Sequence, residues 1–325
     1  MKIGFFSEAG YEGKVPRNHP NMRTDVAWVC ALDATHHPIP TLQNLPNNLY
    51  DVGIMIIPKK RERLLNYPLL EQYRRVCKKV TVMQESYYNY WQDSEIAEQI
   101  WYFNFITEMD LIFCHNDVDL SYYSGLTNVR TELLPSLMIT DGIVRRADKL
   151  VDHYNDIEST FSHIQRDIII GGNWVRDYGG FDSYQVGLEI SDDITAVTTG
   201  RMKPEEEQVM KHLPWMLWKE WINTLSNFKY GIQLGTAAAG TFNLNCSFHG
   251  IPCIAYSNSN TQNILHPLTT VELGDMDKAK HIAKKLKNDK FYNLCSNTTL
   301  KRYDLYYSES KFIENTQRIF STLVN

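Results

Sequence analysis

Long apolar runs are missing from this sequence: stretches such as Ile54 to Ile57 and Ile168 to Ile170 fall far short of the roughly 20 residues that cross a bilayer. No membrane span is expected. The opening Met1-Lys2-Ile3-Gly4-Phe5-Phe6 meets Glu8 too early to supply the about 7 to 15 apolar residues of a secretory signal, so a cytoplasmic location is expected. Cysteine is sparse. Cys30, Cys77, Cys114, Cys246, Cys253 and Cys295 form no CxxC pair and sit in apolar surroundings, which argues against a disulfide framework or a thiolate metal site and reads them as small buried hydrophobes. An excess of positive charge is also lacking: 33 Lys and Arg stand against 38 Asp and Glu, for a net charge of -5. Any nucleic-acid surface would have to be local. Neither GxGxxG nor GxxxxGK[ST] occurs, which weakens a dinucleotide dehydrogenase and a P-loop ATPase equally, and no GxSxG nucleophile turn is found.

What is present is an ordinary globular composition, 43% hydrophobic and 22% charged, over 325 residues, enough for two domains or one large α/β unit. The first half alternates apolar runs with amphipathic stretches. Lys2 to Phe6, Val52 to Ile57, Val80 to Met83 and Leu111 to Cys114 read as strands; Asn21 to Leu32, Leu65 to Cys77 and Glu95 to Phe105 read as helices. Such alternation implies right-handed βαβ crossovers and a parallel sheet. A polar stretch from Asp141 to Arg166 is the expected passage between domains, after which alternation restarts. Asp167 to Ile170, Ile194 to Thr199, Tyr230 to Leu234 and Pro252 to Tyr256 read as strands, and Gly180 to Ile190, Pro204 to His212, Trp218 to Leu225 and Asp275 to Leu286 as helices. The fold class expected is α/β with two Rossmann-like domains facing across a cleft: 1–160 for the first, 161–304 for the second, and 305–325 as a C-terminal helix able to pack back on the first domain. Ligands in such folds bind at the carboxyl ends of the strands.

Two glycine-rich turns stand out. Gly171-Gly172-Asn173-Trp174-Val175-Arg176-Asp177-Tyr178-Gly179-Gly180 follows an apolar strand and precedes a helical pattern, the setting a backbone anion cradle needs; Arg176 can add a bidentate contact. Alternatively its glycines only satisfy a tight turn. Gly235-Thr236-Ala237-Ala238-Ala239-Gly240-Thr241 again joins a strand to a helix, where Thr236 and Thr241 can donate to phosphate or ribose oxygens, or where small residues simply make room for packing. Together the two turns favour a diphosphate. Arg201, after another strand, would add a second cation.

The order of strand, Gly-Gly-Asn-Trp-x-Arg turn, helix, strand ending Thr-Gly-Arg, Trp-rich helix, Gly-Ile-Gln-Leu-Gly strand, small-residue helix and Gly250-Ile251-Pro252-Cys253-Ile254 strand resembles the donor domain of GT-B glycosyltransferases. That resemblance covers most of the chain. It implies a hexosyltransferase using a nucleotide diphosphate-sugar, UDP-sugar favoured, as co-substrate, with the diphosphate on Gly171, Gly172, Asn173, Arg176, Gly179, Arg201, Thr236, Gly240 and Thr241. A narrower likeness is to phage DNA β-glucosyltransferases, carried by Asp167 to Arg176 and by the opening strand followed by Lys14-Val15-Pro16 and a helix. It implies double-stranded DNA with hydroxymethylated pyrimidines as acceptor, and places Glu85 where that family keeps its general base. One departure is visible. Many retaining GT-B enzymes carry two glutamates eight positions apart beside the Gly-x-Pro strand; here Ala237 and Asn245 hold those places, leaving at best the amide of Asn245 for the ribose.

An inverting transfer needs one base for the acceptor hydroxyl while positive groups meet the leaving nucleotide; no metal is required, though a divalent ion is compatible. Glu85, Glu8, Asp25 and His19 are the candidate bases, each with a solvated or capping role as the alternative. Adjacent His36 and His37 diverge and cannot share one ion. Tyr87, Tyr88, Tyr90 and Trp91 form an aromatic cluster able to stack on a sugar or flipped base or to line a rim, and Lys59 to Arg63, Arg74-Arg75 and Lys78-Lys79 are basic runs that either contact phosphates or form a solvated face. The rival readings are transfer to a glycan, lipid or small metabolite, an NAD-dependent oxidoreductase with Glu189, Asp192 or Asp193 as ribose reader, and a non-catalytic nucleotide binder.

Overall fold

The structure, a computed structural model, describes the chain apart from residues 9, 59–67, 85–87, 93, 147–165, 173, 175–177, 198–202, 237–239 and 325. It divides into two compact units. The first comprises Met1–His19, Arg23–Ile139 and Glu309–Asn325; the second comprises Pro20–Met22 and Thr140–Ser308.

In the first unit, β1 (Ile3–Ser7), β2 (Thr35–Pro38), β3 (Tyr50–Ile57), β4 (Cys77–Gln84), β5 (Leu111–Cys114) and β6 (Thr131–Leu133) form a sheet ordered β2-β1-β3-β4-β5-β6. Every pairing in it is parallel. The inner strands are near-continuous apolar runs because helices cover both faces. The helices are α1 (Thr24–Ala31), α2 (Leu69–Val76), α3 (Ile96–Thr107) and α4 (Asp117–Leu126). On α2 the buried Leu69, Tyr73 and Val76 recur at helical spacing, and Tyr73 donates to the Thr81 carbonyl at 2.8 Å. Asn116 caps α4 by accepting from the Asp119 N–H at 2.8 Å. The last long helix, Glu309–Val324, belongs to this unit: Phe320 meets Phe113 edge-on at 6.1 Å, and Arg17 grips Glu309 bidentately at 2.7 and 2.8 Å.

In the second unit, β7 (Arg166–Ile170), β8 (Ile194–Ala196), β9 (Lys211–His212), β10 (Phe228–Gln233), β11 (Cys253–Tyr256) and β12 (Thr270–Val271) are ordered β12-β11-β10-β7-β8-β9 and are also wholly parallel. Counted from β7, this is the 3-2-1-4-5-6 order of a Rossmann sheet, with its reversal between β7 and β10. Its helices are α5 (Gly180–Gly187), α6 (Pro204–Val209), α7 (Trp218–Leu225), α8 (Thr241–Phe248), α9 (Asn260–Leu265), α10 (Met276–Leu286) and α11 (Asp289–Arg302); the helix Glu309–Val324 is then α12. Ile168, Ile170, Ile194, Ile232 and Ile254 make the core with Ile282 and Leu286 of α10.

Boundaries move where local chemistry overrides the apolar pattern. The helix expected over Pro204 to His212 stops at Val209, because Lys211 and His212 pair with Thr195 and Ala196 as an edge strand. Cys77, read as the end of a helix, opens β4, and α5 ends at Gly187 rather than Ile190.

Candidate functional site

The reversal between β7 and β10 puts both glycine-rich turns at the ends of neighbouring strands, with Ile170 paired to Ile232. Gly171 and Gly172 leave β7; Leu234, Gly235 and Thr236 leave β10. The two turns touch. Gly179, at φ +63°, lies so close to Leu234 that a Cβ would sit 1.8 Å from its carbonyl oxygen. Ser183 of α5 joins them, accepting from the Leu234 N–H at 2.9 Å and donating to the Gly179 carbonyl at 2.7 Å. Asn258 steadies the second turn by donating to the Thr236 carbonyl at 2.9 Å.

Gly179 and Gly240 are the N-caps of α5 and α8, both left-handed, and among the described residues no side chain caps either helix. The first-turn N–H groups of an α-helix have no partner of their own along the helix. Two such starts beside one strand reversal are able to offer backbone N–H groups and the positive ends of helix dipoles to an anion. Thr241 is the first residue of α8 and is half-buried, while Thr236 is exposed at the turn. Asp182 stands in the first turn of α5, and Tyr256 at the end of β11 points its hydroxyl at that carboxylate at 3.5 Å. Burial, then the nearby Asp182, pushes the Tyr256 hydroxyl up to about 12.

Asn245 does not serve this site. It is buried on α8, donating to the Thr241 carbonyl at 3.1 Å and accepting from the Trp221 indole N–H at 2.9 Å, so its amide is engaged in helix packing and is not free for a ribose. Asn173, Arg176 and Arg201 lie outside the described residues, as does Ala237. Sequence reasoning missed Glu206, which is fully buried and accepts from the Trp174 N–H at 2.8 Å. Its spacing after Lys203-Pro204 signals a helix cap; its burial is not legible locally.

In the first unit, Glu85 lies outside the described residues, and Glu8 is exposed just past β1. His19 and Asp25 gather around Tyr11. The His19 and Tyr11 rings are 6.3 Å apart, and the Asp25 charge acts on Tyr11, Arg23 and His36. Tyr11 stacks on His36 at 3.9 Å. His36 Nδ1 meets the Tyr11 carbonyl at 2.6 Å, so Nδ1 carries the proton and Nε2 accepts from the Ser7 hydroxyl at 2.8 Å. Burial holds the His36 imidazole below its ordinary value.

The aromatic cluster and the basic runs of this unit find partners within it. Trp91 is a core residue, stacked on Tyr102 at 3.9 Å with its indole N–H on Gln84 at 2.6 Å, so it is not open to a ligand, and the half-buried Tyr88 stacks on Tyr122 at 4.3 Å. Tyr87 lies outside the described residues and Tyr90 is exposed. The basic runs are paired within the unit. Arg75 donates to the Leu45 and Leu42 carbonyls at 2.6 and 2.9 Å, Lys78 meets Asp51 at 2.8 Å, Lys79 meets Asp110 at 3.1 Å, and Arg74 lies 3.7 Å from Glu108. Residues 59–63 are outside the described set. Among the described residues there is no cluster of three or more His, Cys, Asp or Glu that could hold a metal, and no helix long and apolar enough to cross a membrane.

No family model and no curated protein matches the sequence. Solved structures do. HepE of Anabaena in complex with UDP-glucose superposes with a TM-score of 0.66 at 10% identity, covering 99% of this chain and 100% of that one. Sucrose-phosphate synthase of Thermosynechococcus elongatus gives a TM-score of 0.67 at 9% identity, covering 99% of each chain. The fold is GT-B. The trehalose 6-phosphate synthase of Burkholderia multivorans is similar over 87% of this chain and 72% of its own, at 9% identity and a TM-score of 0.60. The narrower likeness to phage DNA β-glucosyltransferases finds no support in these matches.

Proposed function

We propose that this GT-B protein is a glycosyltransferase that moves a sugar from a nucleotide diphosphate-sugar, UDP-sugar first, to a hydroxyl of a glycan or small metabolite. The observation that carries the reading is the pair of glycine-capped helix starts of α5 and α8, with no side-chain cap among the described residues, placed on the two sides of the strand reversal at β7 and β10. A diphosphate supplies the negative charge that such a pair of helix ends attracts, and the leaving nucleotide keeps that charge as the glycosidic bond breaks. Likeness to chains solved with UDP and UDP-glucose supports uridine as the nucleoside. Names such as sucrose-phosphate synthase and trehalose 6-phosphate synthase support a small sugar acceptor. A DNA acceptor is disfavoured, because Arg74, Arg75, Lys78 and Lys79 are occupied by partners of their own unit.

In this reading Arg176 and Arg201 complement the helix ends, and Glu85, Glu8, Asp25 or His19 takes the acceptor proton as the new bond forms. Thermal unfolding followed against UDP, UDP-glucose, GDP and NAD tests the class. A rise in midpoint with the uridine nucleotides is expected. A rise with NAD alone would replace the reading with an oxidoreductase, and no rise at millimolar concentration would remove it.

A further inference from the structure

A glutamate three residues into a helix that bonds back to the N-cap N–H is a common capping device, and ordinarily its carboxylate sits in water. Glu206 departs from that pattern. It has no exposure at all, and it does more than cap α6. Oε1 accepts from the Lys203 N–H at 3.1 Å, which is the cap, and from the Trp174 N–H at 2.8 Å, which belongs to the turn after β7. Oε2 lies 3.5 Å from Nε2 of His212, on β9. One buried carboxylate thus joins the segment leaving β7, the segment entering α6 after β8, and β9 itself, three neighbours in the sheet.

The position of these attachments gives them meaning. In sequence Trp174 stands two residues before Arg176 and Lys203 two after Arg201, the two cations expected at the diphosphate. A buried carboxyl group is costly to keep and calls for a compensating role; its bonds from two backbone N–H groups supply one.

We propose that Glu206 is a positioning residue of the donor-phosphate site, holding the Trp174 backbone of the turn after β7 against the start of α6 so that Gly171 and Gly172 of that turn keep their place at the diphosphate. This rests on the reading of that site as one for a nucleotide diphosphate-sugar. Glu206 acts through the backbone of Trp174 and Lys203.

The test is titration of UDP and of uridine into the full-length chain, wild type against Glu206→Gln, Glu206→Asp and Glu206→Ala, with the Trp174 amide resonance as the reporter of the contact. Glu206→Gln keeps an acceptor oxygen and is expected to bind UDP within about threefold of wild type. Glu206→Ala is expected to bind UDP at least about tenfold more weakly, to bind uridine unchanged, and to shift the Trp174 resonance. Should Glu206→Ala fail to fold, Glu206→Asp, which keeps the charge but shortens the reach by one methylene, is expected to lose UDP affinity in the same direction by about fivefold. The proposal is overturned if wild type binds UDP and the variants bind it equally well, or if UDP and uridine weaken together, or if Gln fares no better than Ala. Failure of wild type to bind UDP overturns the functional reading beneath it, a distinct result.

Discussion

The two units carry sheets of the same size and parallel sense, yet they finish their strand ends in opposite ways. The first closes the ends of β1 and β2 with side chains: Ser7 on His36, His36 under Tyr11, and His37 between Glu12 at 2.9 Å and Tyr50 at 2.6 Å. The second finishes β7 and β10 with glycine backbone and two helices that no described side chain caps. Satisfied side chains contribute to stability and leave little for a ligand to do. Bare backbone donors contribute less to the empty protein and keep their bonding capacity for an anion.

The sharpest test of that contrast is Gly179→Ala. A methyl group placed against the Leu234 carbonyl, at a left-handed φ, is expected to destabilise the second unit by about 4 kcal/mol or more, read as a fall in the urea midpoint. Survival with a midpoint near wild type would show that the turns are not in contact as described.

Titration separates the units next. Asp119 is buried, accepts from the Tyr88 N–H at 3.1 Å, and is pushed up to about 6 by burial. Its raised value means the folded first unit holds a proton the unfolded chain releases, so its contribution is complete below about pH 4 and is lost as pH rises to 6, an effect of about 3 kcal/mol. His266 in the second unit runs the other way. Buried between the Asn243 carbonyl and the Cys253 N–H, it is lowered to about 4, so its contribution is complete above pH 6.5 and is lost as pH falls toward 4. Asp119→Asn is expected to flatten the first dependence and leave the second in urea unfolding at pH 4 and pH 7; an unchanged pH profile would refute the assignment.

Kinetics give a smaller expected effect. Arg176→Ala should weaken UDP binding by about 10- to 100-fold, whereas Glu85→Gln should spare UDP binding and abolish transfer. Equal, negligible changes would take both residues out of the site. Smallest of all, Gly125→Ala on α4, where a Cβ meets nothing within 4 Å, should stabilise the first unit by under about 1 kcal/mol, the mirror image of Gly179. A loss of stability there would indicate a hidden packing role.

The central strands were legible because burial on both faces makes β1, β3, β4, β5, β7, β10 and β11 apolar runs. The edges were not. Thr35-His36-His37-Pro38, Thr131–Leu133 and Lys211–His212 are short and polar, and only pairing with a neighbour makes them strands. Asp117–Leu126 escaped as a helix because its one decisive signal is the Asn116 cap rather than an apolar stripe. Both glycine turns could be read from their place between strand and helix. Asn245 could not be placed, since nothing in its neighbourhood announces Trp221, and Glu206 could not, since what buries it comes from three separated segments.

The membership of Glu309–Asn325 in the first unit sets an order of assembly. Phe320, the partner of Phe113, is translated only after the whole intervening unit, so the hydrophobic interior of the first unit is completed only once that unit has been made. Until Phe320 emerges, the first unit carries an open seam along β5 at Phe113.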